Sequence, residues 1–168
     1  ALVVRPAEPV TFDVTLTVPV NPVAVLLLTS WAVILTLNGV PAVQGRLEAI
    51  AAGQPFSVFV DYAHTDDALK NVLTALREVT PRRLLLLFGC GGNRDATKRA
   101  RMGQVAAQQA DFTLITSDNP RQEDPAAIAG QIESGFRSVK TEGYEIELDR
   151  QRAIQQILGH AHAGDTVL

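Results

Sequence analysis

The fold is decided by the stretch "RRLLLLFGCGGNRD", residues 82–95, in which an apolar run stops at a glycine-rich turn. Residues 82–88 predict a strand that is buried on both faces, because near-continuous apolar runs are typical of parallel sheets. Residues 98–110 follow as a predicted helix. A strand, a polar turn and a helix in this order indicate one unit of an α/β fold.

The same alternation of strand and helix recurs on both sides of this stretch. In the helix predicted at residues 66–79, five apolar residues recur at helical spacing on one face: Leu69, Val72, Leu73, Leu76 and Val79. The other predicted strands cover residues 56–64, 111–117 and 143–148 and begin again at 165, and the other helices cover 124–136 and 149–161. Repeated units of this kind predict an α/β, Rossmann-like, mainly parallel sheet with flanking helices and right-handed crossovers. The last strand breaks off at Leu168, so a fragment is expected.

The first part of the chain has a different character. Residues 10–18 alternate well enough for one strand, and Asn21-Pro22 resembles a helix start. The uncharged run at residues 23–37 predicts a buried helix. A membrane span needs about 20 apolar residues and basic flanks, so a membrane-anchored domain is the weaker alternative. Residues 41–55 are turn-rich and predict a linker.

Composition restricts the class of protein. The chain has 168 residues, 46% of them hydrophobic, which is ample for a buried core. Charged residues make up 20% and the net charge is −3, so no nucleic-acid-binding surface is indicated. The one cysteine, Cys90, excludes an internal disulfide and fits a reducing compartment. No secretory signal is visible at the start.

Polar residues gather where three successive predicted strands end. Ligands of open parallel sheets bind beyond the carboxyl ends of the strands. Three polar loops at one edge therefore predict one binding crevice. The loops contain Asp61, Tyr62 and His64 after the first strand, residues 89–95 after the second and residues 118–121 after the third.

The first two loops each permit two interpretations. Residues 89–95 could present backbone N–H groups to an anion, or could simply turn the chain into the helix. Arg94 brings positive charge for a carboxylate or phosphate, with Lys98, Arg99 and Arg101, although these three could equally form a solvated helix face. Asp61 could accept hydrogen bonds from a ribose diol. A metal site around it is not favoured, and Asp66 is expected to cap the next helix.

The third loop, "SDNPR" at residues 117–121, joins a carboxylate, an amide and a guanidinium on a turn stiffened by Pro120. An arginine forks onto a carboxylate, and Asp and Asn can hold an ammonium group. Together they match the zwitterionic head of an amino acid better than a phosphate. The alternative is an Asx-Pro turn with a salt-bridged arginine.

Five separated motifs, in this order and spacing, resemble the Mur ligases from about residue 45 to residue 168. They are "GRLEAI", "VFVDYAHTDDAL", "FGCGGNRDATKRARMG", "SDNPRQEDP" and "LDRQRAIQQIL…AGDTVL". The resemblance implies that residues 45–168 are the carboxy-terminal Mur ligase domain, incomplete at its end. Residues 1–44 match the end of the central ATP-binding domain only loosely.

The resemblance is strongest to the branch of the family that adds meso-diaminopimelate. It implies an ATP- and Mg²⁺-dependent amide ligase that joins this amino acid to UDP-N-acetylmuramoyl-L-alanyl-D-glutamate through an acyl phosphate, in cytoplasmic peptidoglycan synthesis. Binding of diaminopimelate is implied for Arg94, Asp118, Asn119, Pro120 and Arg121, and contact with ATP for Arg46 and Asp61. Neither nucleic acid nor membrane is an implied partner.

The sequence also departs from the family pattern. The uridine-nucleotide domain, the phosphate loop, the modified lysine, the magnesium ligands and a final Gly-Lys-Gly-His-Glu loop have no counterpart, so this chain alone is expected to be inactive. No catalytic residue is assigned to it. Asn93 stands where Asp is usual and Asp66 where Pro is usual. The alternative function is a non-catalytic nucleotide- or amino-acid-binding module of the same fold.

Overall fold

The structure, a computed structural model, describes residues 47–168. That part of the chain alternates between strands and helices. In chain order the elements are β1 (Glu48–Ala49), β2 (Ser57–Val60), α1 (Asp66–Val79), β3 (Leu84–Phe88), α2 (Thr97–Gln109), β4 (Phe112–Ile115), α3 (Pro125–Arg137), β5 (Tyr144–Ile146), α4 (Arg150–His160) and β6 (Thr166–Val167). The predictions for residues 10–18, 23–37 and 1–44 lie outside the described residues.

The strands form one sheet in the order β1-β2-β6-β3-β4-β5. Every neighbouring pair from β2 to β5 is parallel, which confirms the predicted α/β, mainly parallel architecture. Strand β1 is antiparallel to β2, with Glu48 opposite Val60. The prediction of a linker over residues 41–55 was therefore wrong at this strand, whose two residues are too few for a periodic sequence signal.

An ion pair between the buried Asp165 and the partly exposed Arg83 fixes β6 in the middle of the sheet. Asp165, directly before β6, is 1% exposed and accepts a 2.6 Å bond from Nη2 of Arg83, directly before β3. The backbone N–H groups of Arg83 and His162 also donate to the Asp165 carboxylate. Its backbone oxygen accepts from the N–H of Ser57 at the start of β2. One residue thus joins the beginnings of three adjacent strands.

Strand β3 is covered on both faces, as its apolar run predicts. Successive side chains of a strand point to opposite faces. Leu84, Leu86 and Phe88 belong to the core that includes residues of α1, α2 and α3, and Leu85 belongs to a second core. That second core contains Ala153 and Ile157 of α4. The sheet therefore lies between two helical layers.

The ends of two helices show which side chains satisfy the first backbone N–H groups. Asp124 caps α3 by accepting from the N–H of Ala126, with Pro125 in the first turn, as predicted. The prediction that Asp66 caps α1 was wrong, because Thr65 accepts from the N–H of Ala68 instead. Asp66 is the first residue of α1, where a negative charge is favourable beside the helix dipole.

The buried face of α1 is the one that the sequence predicts. Leu69, Val72, Leu73 and Leu76 are buried, and Val79 is partly buried against the same core. Helical periodicity alone therefore identified this contact surface.

Helices α2 and α3 touch through two glycines. A Cβ on Gly103 would lie 2.1 Å from the backbone oxygen of Ile132, and a Cβ on Gly135 would lie 1.9 Å from that of Ala100. Only a hydrogen atom fits at either position. This contact fixes the two helices that follow the second and third polar loops.

Within residues 47–168, each helix is too short or too polar to span a bilayer.

The ion pair before β6 gives a prediction for stability. Burial raises the pKa of Asp165, but hydrogen bonds from Arg83 and from the N–H groups of His162 and Arg83 outweigh it and lower the pKa to about 2. Because the pKa of Asp165 in the folded state lies below its value in the unfolded state, the ion pair stabilises the folded state fully at pH values above the ordinary pKa of a carboxyl group. That stabilisation, about 2 kcal/mol, is lost as the pH falls toward 2.

We expect Asp165→Asn to lower the free energy of unfolding by about 3 kcal/mol at pH 7, because its amide would face several donors. The difference from the unmodified protein should narrow as the pH is lowered to about 3. Urea unfolding followed by circular dichroism measures both effects. Asp67→Asn, at an exposed position of α1, is the control and should cost less than about 0.5 kcal/mol. Equal stability of the two variants at pH 7 would contradict the assignment.

Candidate functional site

Three polar loops leave the same edge of the sheet, as predicted. They follow β2, β3 and β4, which run in parallel within the sheet. Strands β3 and β4 are neighbours, whereas β6 separates β2 from β3. The loops after β3 and β4 are therefore adjacent, and the loop with Asp61 lies one strand further away.

The glycine-rich loop after β3 is joined to the loop after β4 by backbone and side-chain hydrogen bonds. The N–H of Gly92 donates to the oxygen of Asn119 at 2.8 Å, and Nη1 of Arg121 donates to the oxygen of Gly92 at 2.7 Å. The side-chain oxygen of Asn93 accepts from the N–H of Gln122 at 3.0 Å. The two loops therefore form one rigid unit.

Glycine is required in this unit because the two backbones nearly touch. A Cβ on Gly92 would lie 1.9 Å from the oxygen of Pro120. A Cβ on Gly91 would lie 2.9 Å from Nη1 of Arg121 and 4.0 Å from Oδ2 of Asp118. The predicted guanidinium and carboxylate are thus brought together beside Gly91. The glycine-rich loop therefore turns the chain toward α2 and also lies directly against the loop after β4.

Two non-glycine residues of the unit have left-handed backbones. Asn93 has a φ of 50° and Arg121 a φ of 52°. Asn adopts this conformation more readily than most residues, and its side chain accepts a cross-loop bond that an Asp would also accept. The departure from Asp at position 93 is therefore compatible with the same loop geometry.

The predicted amino-acid-binding residues are mostly open to solvent. Arg94, Asp118, Asn119 and Arg121 are exposed, while Pro120 is partly buried against Gly92. The loop is not held by a salt bridge of Arg121 within residues 47–168, where its hydrogen bond goes to a backbone carbonyl. The Asx-Pro turn with a salt-bridged arginine is therefore not what the described residues form.

Of the residues predicted to contact ATP, Asp61 lies apart from the unit formed by the two joined loops. Asp61 is partly buried, and its carboxylate accepts from the N–H groups of Leu47 at 2.8 Å and Ala63 at 2.7 Å. The carboxylate is thereby held at the end of β2. Arg46 lies outside the described residues. Lys98 bridges the two regions by donating to the oxygen of His64 at 2.5 Å.

The interpretation of Lys98, Arg99 and Arg101 as a solvated helix face is wrong for Arg99, whereas Arg101 is exposed and Lys98 is partly exposed. Arg99 is fully buried and is paired with Glu123, and Arg101 is paired with Asp66. Glu123, which sequence reasoning missed, lies directly before the Asp124 cap and also accepts from the N–H of Asn93. The ion pair with Arg99 and the bond from Asn93 lower the pKa of Glu123 to about 2.

A second residue that sequence reasoning missed comes from α4. Arg150, at the start of that helix, donates from Nη1 to the oxygen of Ser117 at 3.2 Å. It therefore supports the loop after β4 from the side opposite the glycine-rich loop. Its position directly after the Asp149 cap was the available sequence signal, because that end of α4 meets the same edge of the sheet.

Nucleophilic and metal chemistry find no support in the described residues. Cys90 is buried, and burial raises the pKa of its thiol to about 11, which disfavours the reactive thiolate. Within residues 47–168, no group of three or more His, Cys, Asp or Glu could hold a metal ion. The exposed charges of the two joined loops are suited to charged ligands.

A family model described as "Mur ligase, glutamate ligase domain" matches residues 45–168. A protein of Solibacter usitatus named UDP-N-acetylmuramoyl-L-alanyl-D-glutamate--2,6-diaminopimelate ligase is 50% identical over 127 residues, covering 76% of this chain and 26% of that protein. A protein of the same name from Syntrophomonas wolfei is 48% identical over 132 residues, covering 79% and 27%. The chain spans about a quarter of the length of these curated relatives.

Two solved structures have the same fold. One, of a UDP-N-acetylmuramoyl-L-alanyl-D-glutamate--2,6-diaminopimelate ligase, matches with a TM-score of 0.67 and 39% identity over 76% of this chain and 26% of that chain. The other, the folylpolyglutamate synthase/dihydrofolate synthase of Yersinia pestis with AMPPNP and Mn, matches with a TM-score of 0.58 over 77% of this chain and 28% of that chain. Its identity is 16%, so that likeness concerns the fold alone.

The contact between the loops gives a prediction for glycine substitutions. We expect Gly92→Ala to lower the free energy of unfolding by about 1–3 kcal/mol, because the new methyl group would force the two loops apart. The matched control is Gly130→Ala in α3, where a Cβ would meet nothing within 4 Å. This control should instead stabilise by about 0.5–1 kcal/mol, since Ala favours helix more than Gly. Urea unfolding distinguishes them, and equal effects would contradict the close contact.

Proposed function

Since the chain belongs to the Mur ligase family, whose glutamate ligase domain matches residues 45–168, we infer that it supplies the amino-acid-binding domain of an ATP-dependent amide ligase. The reaction that we propose adds meso-diaminopimelate to UDP-N-acetylmuramoyl-L-alanyl-D-glutamate in peptidoglycan synthesis. The relatives named UDP-N-acetylmuramoyl-L-alanyl-D-glutamate--2,6-diaminopimelate ligase are 50% and 48% identical to the chain over the matched residues. The proposed location of the reaction is the cytoplasm.

The observation that carries the proposal is the joined unit of two loops that presents Arg121. A guanidinium has several N–H donors in a planar fork. One of them is bonded to the oxygen of Gly92, which fixes the group while leaving other donors for a ligand. A carboxylate is the ligand that this fork matches best. Diaminopimelate carries a carboxylate at the end of its side chain, where lysine has none.

Asp118 and Asn119 complete the proposed recognition of the amino acid. Oδ2 of Asp118 lies on the same side of Gly91 as the Arg121 guanidinium, and both Asp118 and Asn119 are exposed. Their oxygen atoms can accept hydrogen bonds from an ammonium group. Arg94, exposed on the neighbouring loop, offers a second cation for the other carboxylate. A zwitterion with an additional carboxylate therefore finds complementary charges at this edge.

ATP is the proposed co-substrate, and Asp61 and Arg46 are its proposed contacts in this chain. The two backbone bonds to Asp61 leave acceptor capacity on its carboxylate for a ribose diol, because a carboxylate has about four lone-pair sites. Magnesium would assist phosphoryl transfer in the complete enzyme. Within residues 47–168 no three or more His, Cys, Asp or Glu side chains are clustered for a metal ion, and no step is assigned to the metal here.

In the proposed reaction the glutamate carboxylate of the nucleotide substrate takes the terminal phosphoryl group of ATP to form an acyl phosphate and ADP. The amine of diaminopimelate then attacks the acyl carbon, expels phosphate and loses a proton. The residues of this chain would hold that amino acid by its charged ends. Positioning of this kind lowers the barrier by removing translational and rotational freedom before the bond forms. The role proposed for this domain is therefore binding and orientation.

Replacement of Arg121 tests the proposal. In the full-length protein that carries this domain, we expect Arg121→Ala to raise the KM for diaminopimelate by roughly 10-fold to 100-fold, since a hydrogen bond to a charged group contributes about 1.5–3 kcal/mol. The KM for ATP should change little. Arg121→Lys should rescue little, because an ammonium group cannot fork onto a carboxylate. Phosphate release measured against each substrate gives both constants.

The matching control replaces diaminopimelate with lysine as the substrate. Lysine should be a poor substrate of the unmodified enzyme, because it leaves Arg121 unpaired and brings another positive charge near it. Arg121→Ala should reduce the preference for diaminopimelate over lysine. If the variant weakened ATP and left diaminopimelate unaffected, this loop would be a nucleotide contact and its assigned role would be wrong.

A further inference from the structure

We propose that Arg99 and Glu123 form a buried clamp that positions Arg121 for amino-acid recognition, an inference that rests on the proposed function. Arg99 belongs to α2 and is 0% exposed, so a ligand cannot reach it. Glu123 lies in the loop after β4, two residues beyond Arg121. The clamp acts on the substrate only through the loop that it holds, and Arg99 and Glu123 are therefore positioning residues.

The guanidinium of Arg99 joins three parts of the structure. It forms two parallel bonds with Glu123, from Nη1 to Oε2 at 2.8 Å and from Nη2 to Oε1 at 2.9 Å. Nη1 also donates to Oε1 of Gln131 in α3 at 2.9 Å, and Nη2 donates to the oxygen of Gly91 at 3.1 Å. The glycine-rich loop, the loop after β4 and helix α3 are thus tied to one side chain.

Hydrogen bonds of Glu123 and Asn119 hold the loop after β4 on both sides of Arg121. Its Oε1 accepts from the N–H of Asn93, whose own side chain accepts from the N–H of Gln122. On the other side of Arg121, Asn119 accepts from Gly92. Cross-loop bonds therefore flank Arg121 along the chain, before and after it.

The backbone of Arg121 explains why such a clamp is needed. A left-handed conformation costs a non-glycine residue roughly 1–2 kcal/mol, and Arg121 has a φ of 52°. A residue stays in this conformation only when its surroundings impose it. With the clamp loosened, the loop would relax toward ordinary backbone angles and the direction of the Arg121 side chain would change.

Both side chains of the clamp remain charged over the physiological range of pH. A fully buried arginine requires a counterion, and within residues 47–168 the carboxylate that pairs with Arg99 is that of Glu123. The same pair keeps the pKa of Glu123 far below neutrality. Glu123 therefore stays ionised throughout the physiological range of pH, and the clamp is a fixed support.

Arg99→Lys in the full-length protein is the first test. Lysine keeps the charge but cannot bond to Glu123, Gln131 and Gly91 at once. We expect the KM for diaminopimelate to rise about tenfold, since a small displacement of a binding group is costly, while the KM for ATP stays within about twofold. Arg77→Lys is the matched control, because Arg77 also bonds to a carboxylate, that of Asp111, and to a backbone oxygen, that of Gln109, at the opposite edge of the sheet. It should leave both constants unchanged.

The double variant Arg99→Lys with Arg121→Ala tests whether the clamp acts through Arg121. If it does, the KM for diaminopimelate should equal that of Arg121→Ala alone, because the second change has nothing left to misplace. Multiplied effects of the two changes would overturn the proposal. So would an equal rise in the KM for both substrates, or a fall in kcat alone, since either indicates general damage.

The outcomes separate this inference from the proposed function. If Arg121→Ala left the KM for diaminopimelate unchanged, the proposed function would fail. If Arg121→Ala raised that constant and Arg99→Lys did not, the clamp alone would fail. Should Arg99→Lys not fold, Glu123→Asp replaces it with the same expected outcomes, because it keeps the counterion of Arg99 but draws the carboxylate back by one methylene from Arg99 and from the N–H of Asn93.

Discussion

The constraint on which the structure depends is that strand β3 must be covered on both of its faces. Leu84 and Leu86 require one apolar layer and Leu85 requires another, so helices pack on both sides of the sheet. Parallel strands with such crossovers end at one edge. The polar loops after β3 and β4 therefore meet, and the contact of Gly103 with α3 sets how closely their helices approach. The edge that carries the candidate site is thus a consequence of covering a strand of four leucines and a phenylalanine.

What the sequence predicted well was local in the chain. The buried face of α1 followed from a helical period, and the strand at residues 84–88 from an uninterrupted apolar run. What it did not predict depends on residues far apart. The place of β6 between β2 and β3 depends on Asp165 bonding to Arg83, 82 positions away in the chain. Periodicity carries no information about such pairs, and the two residues of β1 are too few to show any period.

The candidate site also contains residues that local sequence predicts and residues that depend on distant partners. Asp118, Asn119 and Arg121 were predicted as site residues because three polar groups on a short turn are unusual at a strand end. Arg99 was misread as a possible solvated residue, because a charge on a helix is usually exposed. Its burial is decided by Glu123, 24 positions later, which carries no signal of its own beyond its place in the loop. Buried ion pairs are set by the fold, so they can be identified only after the fold is known.

The left-handed backbone at position 121 also limits how this domain can acquire a new preference. Exchanging the side chain at position 121 means choosing a residue that accepts a φ of 52°. Glycine, Asn and Asp accept it readily, whereas Val, Ile and Thr do so at high cost. Proline and the β-branched residues are therefore disfavoured at this position by the main chain, before any contact with a ligand is considered. Libraries meant to change the ligand preference of this domain should vary the neighbouring exposed positions, Arg94 and Asp118, and leave those residues out at position 121.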